Sequence, residues 1–170
     1  MSKFVALVRA VNVGGTGKLP MDVLRDICQR AGFADIRTYI QSGNVIFDAG
    51  VTADVVKTKL EARLKDHVGK PVGVIVRDAD QMRSVLECNP FPQAPPSKVA
   101  VLFLDQKPPP HAAGTAKGQA DEEIVLGERE IFIHYPSGME HSRLRLVAMD
   151  TGTARNLNTV AKLAAMASGM

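Results

Sequence analysis

Aromatic residues are scarce in this sequence of 170 residues, which contains no tryptophan, two tyrosines and six phenylalanines. Proteins that bind single-stranded RNA commonly stack bases on exposed aromatic side chains, so the shortage weakens that interpretation. Long apolar runs are also lacking, and none approaches the ~20 residues of a membrane-spanning helix. The N-terminal apolar stretch is short and is interrupted by Arg9, which is atypical of an export signal. These absences predict a cytoplasmic protein without a membrane segment.

Cysteine and histidine are too few and too dispersed to indicate a metal site. Cys28 and Cys88 lack zinc-ligand spacing, and without an export signal we expect both to be reduced. Cys28 also falls on an apolar helical stripe and is expected in the core. The histidines, at positions 67, 111, 134 and 141, form no i, i+4 pair. The acidic run 121–123 is expected to be solvated. The sequence therefore predicts no metal and no cofactor, and it leaves open whether any reaction is catalysed.

The charge and length of the chain set broad limits. Lysine and arginine exceed aspartate and glutamate by 21 to 18, giving a formal net charge of +3 and an isoelectric point of about 9.0. A mildly basic balance permits an anionic partner without requiring one, because net charge governs encounter and not fold. A chain of this length forms one domain or two small subdomains that share a core.

The first half of the chain has a ferredoxin-like pattern. Strands are predicted at 3–9, 36–41, 45–47 and 72–76, with helices from Pro20 to Gly32 and from a Thr52 cap to about Val68. Gly43-Asn44 is predicted as a two-residue hairpin turn. The order β-α-β-β-α-β gives an antiparallel sheet with two helices on one face. We assign residues 1–78 to this subdomain.

Residues 79–170 are predicted to form a second α+β subdomain. A helix at 79–88 precedes a strand at 98–104, and EIVL and IFIHY form a hairpin. Two helices, at 142–150 and 154–167, are predicted to close the chain. This β-(α)-β-β-α order resembles the first half without its last strand, so the fold class is α+β with two related halves.

The glycine loop, residues 12–20 (NVGGTGKLP), follows the first strand and precedes the first helix. Because the first and second strands run parallel, this loop and the hairpin at 41–44 are expected at the same edge of the sheet. The free amides and positive dipole end of a helix N-terminus favour an anion there. A tight connection with no ligand remains an alternative, because glycine often serves only to allow positive φ. The candidate ligand-binding residues at this edge are Arg9, Asn12, Gly14, Gly15, Lys18, Gln41, Ser42 and Asn44.

The glycine loop does not match the motifs of nucleotide-binding proteins. The phosphate-binding loop G-x-x-x-x-G-K-[ST] would need glycine at Asn12 and serine or threonine at Leu19. A dinucleotide motif beginning at Gly15 would need glycine at Pro20. A nucleoside triphosphatase is therefore disfavoured.

The C-terminal motif, residues 153–163 (TARNLNTVAKL), is predicted as a helix capped by Thr153. Asparagine and threonine are poor helix formers, so they suggest polar contacts and not a solvated face. We expect this polar face, with the adjacent Asn156, to join the glycine-loop edge, where Arg9 and Arg155 would bind one anion from opposite sides. A surface helix with only local hydrogen bonds is the alternative. The polar face consists of Arg155, Asn158, Thr159 and Lys162.

Three stretches of the sequence occur together: ALVRAVNVGGTGKLPM, RTYIQSGNVIF and TARNLNTVAKL. They resemble a widespread bacterial family catalogued as a domain of unknown function, and the resemblance spans nearly the whole chain. It implies a ferredoxin-like half joined to a related α+β half, and it brings no established activity. The family often has an aromatic residue where this chain has Leu157, so no stacking contact is expected there.

Three functions follow as hypotheses. The first is binding of a small phosphate- or carboxylate-bearing ligand at the edge formed by the glycine loop and the 41–44 hairpin. The second is a single-stranded RNA-binding module, for which the first and third strands offer only Phe4 and Phe47. The third is a structural or partner-binding role, in which proline-rich segments at 89–96 and 107–110 present extended chain. The sequence does not fix the oligomeric state.

Overall fold

The computed structural model describes residues 1–9, 19–40 and 43–169 of the chain. The chain divides into two compact units. The first comprises Met1–Met82 together with Leu163–Met170, and the second comprises Arg83–Lys162. The sequence predicted two consecutive halves, residues 1–78 and 79–170. It did not predict that the last residues of the chain group with the first half.

The first unit contains an antiparallel four-stranded sheet in the order β2-β3-β1-β4. This arrangement has the predicted β-α-β-β-α-β order, with β1 and β2 running in the same direction. The elements are β1 (Ser2–Val8), α1 (Met21–Arg30), β2 (Ala34–Tyr39), β3 (Asn44–Ala49), α2 (Ala53–Val68) and β4 (Val74–Asp78).

Helices α1 and α2 supply apolar side chains to a core on one face of this sheet. Alternate residues of the central strands, such as Phe4 of β1 and Phe47 of β3, pack with Leu24 of α1 and Leu60 of α2. Phe33 stacks on Phe47, with 4.4 Å between ring centroids. The helical stripes predicted from the 3.6-residue period therefore face the core.

The opposite face of the sheet is buried as well. Val5, Leu7, Ile46 and Ile75 all have exposed fractions of 1% or less. A strand buried on both faces needs apolar residues at consecutive positions, which explains the uninterrupted FVALV run of β1. Strand β2 is an edge strand with mostly exposed or half-buried residues, and its sequence is correspondingly polar.

Local sequence signals set the ends of α2 and attach it to β4. The Thr52 hydroxyl accepts a hydrogen bond from the Val55 amide, as the predicted cap requires. Gly69 ends the helix with φ of 87°. One oxygen of Glu61 accepts hydrogen bonds from Lys57 Nζ at 2.8 Å and from the Val74 amide at 3.0 Å. The first residue of β4 is thereby bonded to the helix.

Cys28 lies in the core on α1 with no exposed surface, as the sequence predicted. Burial raises the pKa of its thiol to about 12, because the thiolate would lose its hydration there. Cys88 is exposed, and both cysteines are free thiols.

The turn between β2 and β3 differs from the predicted two-residue turn. Asn44 is the first residue of β3 and pairs with Tyr39, so the connection consists of residues 40–43. Gly43 has the expected positive φ, 75°, and Ile40 has φ of 50°. The predicted turn placed Asn44 outside the strand because asparagine is common in turns. Its complete burial and strand pairing make it a core residue instead.

The second unit contains a sheet with the same strand arrangement. Its order is β6-β7-β5-β8, and all neighbours are antiparallel. Short 3₁₀ turns at Ala112–Thr115, Met139–His141 and Val147–Asp150 occupy the connections where the first unit has crossover helices. The strands are β5 (Val99–Phe103), β6 (Glu123–Leu126), β7 (Glu130–His134) and β8 (Thr153–Asn156). Helices α3 (Ala79–Glu87) and α4 (Leu157–Ala167) each contribute residues to both units.

Of the helix predicted at 142–150, only the 3₁₀ turn Val147–Asp150 is present, and residues 142–146 are not helical. Leu144 and Leu146 are buried while Arg143 and Arg145 are exposed, which is the two-residue alternation of extended chain. Arg145 forms an isolated antiparallel bridge with Lys117. The R-L-R-L order of residues 143–146 fits the period of two of extended chain and not the helical period of 3.6.

The predicted start of the last helix is also wrong. Residues 153–156 form β8, which pairs with β5 and supplies the strand that the predicted pattern lacked. Helix α4 begins at Leu157, and the Asn156 side chain caps it by accepting a hydrogen bond from the Thr159 amide at 2.9 Å. Asparagine and threonine both cap helices well, so the sequence offered two candidate caps three residues apart.

Candidate functional site

The ends of three strands meet at one edge of the first sheet. The Val8 amide, at the end of β1, donates to the Gly43 carbonyl oxygen at 2.9 Å. The Arg9 amide donates to the Gly73 carbonyl oxygen, just before β4, also at 2.9 Å. The chain therefore enters residues 10–18 and leaves the 40–43 connection at adjacent points. This is the proximity that parallel β1 and β2 strands impose.

Arg9 has its side chain against Gly73. A Cβ atom at position 73 would lie 3.2 Å from Arg9 Cδ, closer than ordinary packing allows. The absence of a side chain at Gly73 thus makes room for the arginine stem. Arg9 was among the predicted site residues and Gly73 was not, although a glycine inside the predicted strand 72–76 is a signal of close backbone approach.

Asn44 is fully buried at this edge, beside Leu7 of β1. Its side-chain nitrogen donates to the Tyr39 carbonyl oxygen at 3.1 Å across the β2–β3 connection. Asn44 therefore holds the connection in place. Its expected role as a ligand-binding residue stays a prediction.

Ile40 has an unusual backbone conformation for a β-branched residue. Its φ of 50° lies in the left-handed region, where a Cβ clashes with the neighbouring carbonyl oxygen at a cost of about 1–2 kcal/mol. Half of its side chain is exposed, so burial of apolar surface offsets little of that cost. Such strain is concentrated at ligand-binding and switch segments in proteins.

An aspartate lies in the first turn of α1. Pro20 is at the N-cap position and provides no side-chain hydrogen bond to the helix. Asp22 is in the first turn, and its carboxylate accepts a hydrogen bond from the Val23 amide at 3.0 Å. This carboxylate already compensates part of the positive dipole at the helix N-terminus.

Six of the predicted site residues lie outside the described part of the chain. They are Asn12, Gly14, Gly15, Lys18, Gln41 and Ser42. Their predicted role as ligand-binding residues stays a prediction.

The C-terminal candidate residues have different local roles from those predicted. Arg155 is on β8, and its Nη1 donates to the Thr153 hydroxyl at 2.7 Å and to the Ala154 carbonyl oxygen at 2.9 Å. Desolvation lowers the pKa of its guanidinium to about 10. Thr159 is buried. Of the predicted polar face, only Asn158 and Lys162 are exposed on α4, one helical turn apart.

Glu122 is a polar residue whose burial the sequence analysis did not anticipate. It was expected to be solvated within an acidic run, yet its exposed fraction is 6%. Its carboxylate accepts hydrogen bonds from the Ala120 amide at 2.6 Å and from the Ser142 hydroxyl. These bonds lower the pKa of the Glu122 carboxyl, with the Ser142 bond contributing most. No local signal in the run of three acids distinguishes the middle residue.

Neither a metal centre nor a membrane span is found in the described ranges. Within residues 1–9, 19–40 and 43–169, no three His, Cys, Asp or Glu side chains are grouped to hold a metal ion. None of the helices in these ranges combines the length and apolarity needed to cross a bilayer.

Two antiparallel sheets with the same strand order define an α+β protein made of two related halves. A family model described as "Protein of unknown function (DUF1697)" matches residues 1–132, and the chain belongs to this family. The structure of the conserved bacterial protein SP0830 from Streptococcus pneumoniae is similar, with a TM-score of 0.82, 22% sequence identity and 98% of each chain covered. At this identity the similarity establishes the fold. No curated protein matches the chain.

Proposed function

We propose that this protein binds a small phosphate- or carboxylate-bearing ligand at the edge of the first sheet, between the glycine loop and the 40–43 connection. The observation that carries the proposal is the pair of hydrogen bonds from the Val8 and Arg9 amides to Gly43 and Gly73. They hold an arginine, a strained connection and the start of the glycine loop at one place.

The charge at this edge favours an anion. Arg9 supplies a guanidinium group, whose planar fork suits carboxylate and phosphate oxygens. The glycine loop adds Lys18 to the same segment of sequence. Asp22 opposes them from the first turn of α1. The net charge of Arg9, Lys18 and Asp22 is positive, which favours a small ligand with one or two negative charges.

The RNA-binding alternative has no support in the described part of the sheet. The two aromatics that would stack bases, Phe4 and Phe47, have exposed fractions of 5% and 0%. Both face the core with α1 and α2, so neither presents a ring to solvent. Nothing in the described residues favours the partner-binding alternative over the anion site.

Isothermal titration of the full chain with inorganic phosphate, pyrophosphate, ribose 5-phosphate and succinate tests the proposal. Arg9→Met keeps the aliphatic stem beside Gly73 and removes the charge. We expect this variant to lose about tenfold or more in affinity for the best ligand, as expected for a lost charge-assisted hydrogen bond.

Arg30→Met is the matched control, because Arg30 is at the other end of α1, paired with Asp26 at 2.9 Å. It removes the same charge and should leave the affinity unchanged. Absence of binding by all four anions would refute the proposal, as would equal losses in both variants.

A further inference from the structure

A cavity of about 470 Å³ opens within the second unit, apart from the anion site proposed above. Its volume is within the range of small-molecule sites, roughly 300–1,000 Å³. The residues that line the cavity include Asp121, Glu122, Tyr135, His141, Ser142 and Arg143. Its walls are therefore rich in charged and hydroxyl groups, unlike the apolar core beside it.

Tyr135 belongs to both the core and the cavity. It is only 9% exposed, and it belongs to the same core cluster as Leu102 and Leu144. Among the described residues, its backbone forms hydrogen bonds but its hydroxyl has no partner. Every fully enclosed side-chain oxygen or nitrogen in those residues does have a partner. The Tyr135 hydroxyl is therefore not fully enclosed, and we infer that it opens into the cavity that Tyr135 lines, where it can donate and accept a hydrogen bond.

The Glu122 carboxylate is the second polar group of this wall. Its two oxygens accept one hydrogen bond each from the Ala120 amide and the Ser142 hydroxyl, and an ionised carboxylate has acceptor sites for about four. The pKa of Glu122 is lowered by these bonds, so the group carries its charge at neutral pH. Desolvation raises the pKa of Tyr135, and the negative charge of Glu122 adds to this effect. Both residues line the same cavity.

The remaining groups make the cavity negative. Asp121 adds a second carboxylate, which accepts a hydrogen bond from the Ser137 hydroxyl at 2.5 Å. Arg143 contributes one positive charge, so the lining carries a net charge of about −1 when His141 is counted as neutral. The described residues form no group of three ligating side chains, which disfavours a bare metal ion.

We propose that this cavity binds a small organic cation with an ammonium or guanidinium head. The N–H groups of the head donate to the Glu122 carboxylate and the Tyr135 hydroxyl oxygen. A phenol and a carboxylate together provide the acceptors that such a head requires. The site shares no residue with the proposed anion site, because every residue in it belongs to Arg83–Lys162.

The test uses the full chain with putrescine and agmatine as cations and 1,4-butanediol as an uncharged analogue. We expect saturable binding of at least one cation by isothermal titration, and none of the diol. Tyr135→Phe removes only an oxygen that has no protein partner among the described residues, so the fold should persist. It should weaken binding about fivefold to tenfold, as expected for one lost hydrogen bond in a buried site.

Tyr39→Phe is the matched control, since Tyr39 is the other tyrosine of the chain and lies on β2 of the first unit. It should leave cation affinity unchanged. Addition of the cation should also shift the amide resonance of Ala120, because that N–H donates to Glu122. Equal affinity in Tyr135→Phe and the unaltered protein would overturn the proposal, as would binding of the diol or an unmoved Ala120 resonance.

Discussion

The Val8 amide donates to the Gly43 carbonyl oxygen over 2.9 Å, which ties the end of β1 to the residue before β3. This bond fixes the orientation of the Gly43 peptide where φ is 75°. A residue with a Cβ meets a steric penalty in that conformation, because the Cβ approaches the following carbonyl oxygen. The edge that we propose for the anion is therefore built on a backbone geometry that suits glycine.

Replacing Gly43 with alanine should lower the free energy of unfolding by about 1–2 kcal/mol, because the left-handed conformation is strained for alanine. Urea denaturation measures the change. Gly50→Ala is the matched control, since Gly50 has open space around it and no positive φ. A Gly43→Ala protein as stable as the control would show that the connection accepts a different backbone path.

Lys162→Glu tests whether α4 belongs to the proposed anion site. Lys162 is exposed on this helix, so the change should leave the melting temperature within a degree or two of the original. If the C-terminal motif joins the site, phosphate affinity falls by about tenfold, because an attraction becomes a repulsion. Lys59→Glu, on an exposed position of α2, controls for the change in net charge. Equal phosphate affinities in both variants would separate α4 from the site.

Glu61 bonds to both Lys57 and the first amide of β4, so its loss should loosen the attachment of β4 to α2. Glu61→Ala should reduce the free energy of unfolding by about 1 kcal/mol, since both groups are partly solvated. Glu87→Ala removes a carboxylate with the same i, i+4 spacing from Arg83, at 3.8 Å and more exposed. We expect the control to cost less than about 0.5 kcal/mol. The native-state hydrogen-exchange rate of the Val74 amide should increase in Glu61→Ala and not in the control.

The buried carboxylate of Glu122 should make the second unit sensitive to acid. Its pKa in the folded state is lowered from the ordinary value of 4.5. The associated stability is therefore complete above pH 4.5 and is lost as the pH falls below it through the folded-state pKa. Glu122→Gln should be less stable near pH 7 and should depend less on pH between 5 and 3. Melting temperatures measured across this interval give the change of stability with pH. Glu128→Gln, at an exposed position, is the control. If the melting temperature of Glu122→Gln changed with pH as much as that of the control, the assignment would be contradicted.

The sequence predicted the first half well because its signals are redundant there. Helix α2 has a Thr52 cap, a Gly69 stop and an apolar stripe, and each points to the same element. The 143–156 region lacks such agreement. Leu144 and Leu146 follow the period of two that indicates extended chain. Thr153 and Asn156 are both good helix caps, and the pairing of β8 with β5 decides between them. That pairing is a long-range contact, which local propensity does not encode.

The candidate site was predictable to the extent that topology determines it. The meeting of residues 8–9 with residue 43 follows from strand order alone. Burial of Glu122 and the open hydroxyl of Tyr135 follow from the packing of distant segments against one another. Ser142 lies 20 positions from the carboxylate that it bonds, and no spacing rule links the two residues.

The two cysteines allow slow opening motions of the protein to be measured without an added label. A disulfide reagent at neutral pH should modify the exposed Cys88 at once. The amplitude of this fast phase gives the number of accessible thiols. Cys28 can react only after α1 separates from the sheet and its thiol regains water, so its labelling rate follows the population of the opened first unit. Ligands that bind the edge beside α1 should slow this second phase, whereas cations bound in the second unit should leave it unchanged. Labelling kinetics of one unaltered chain can thus assign a ligand to one unit or the other.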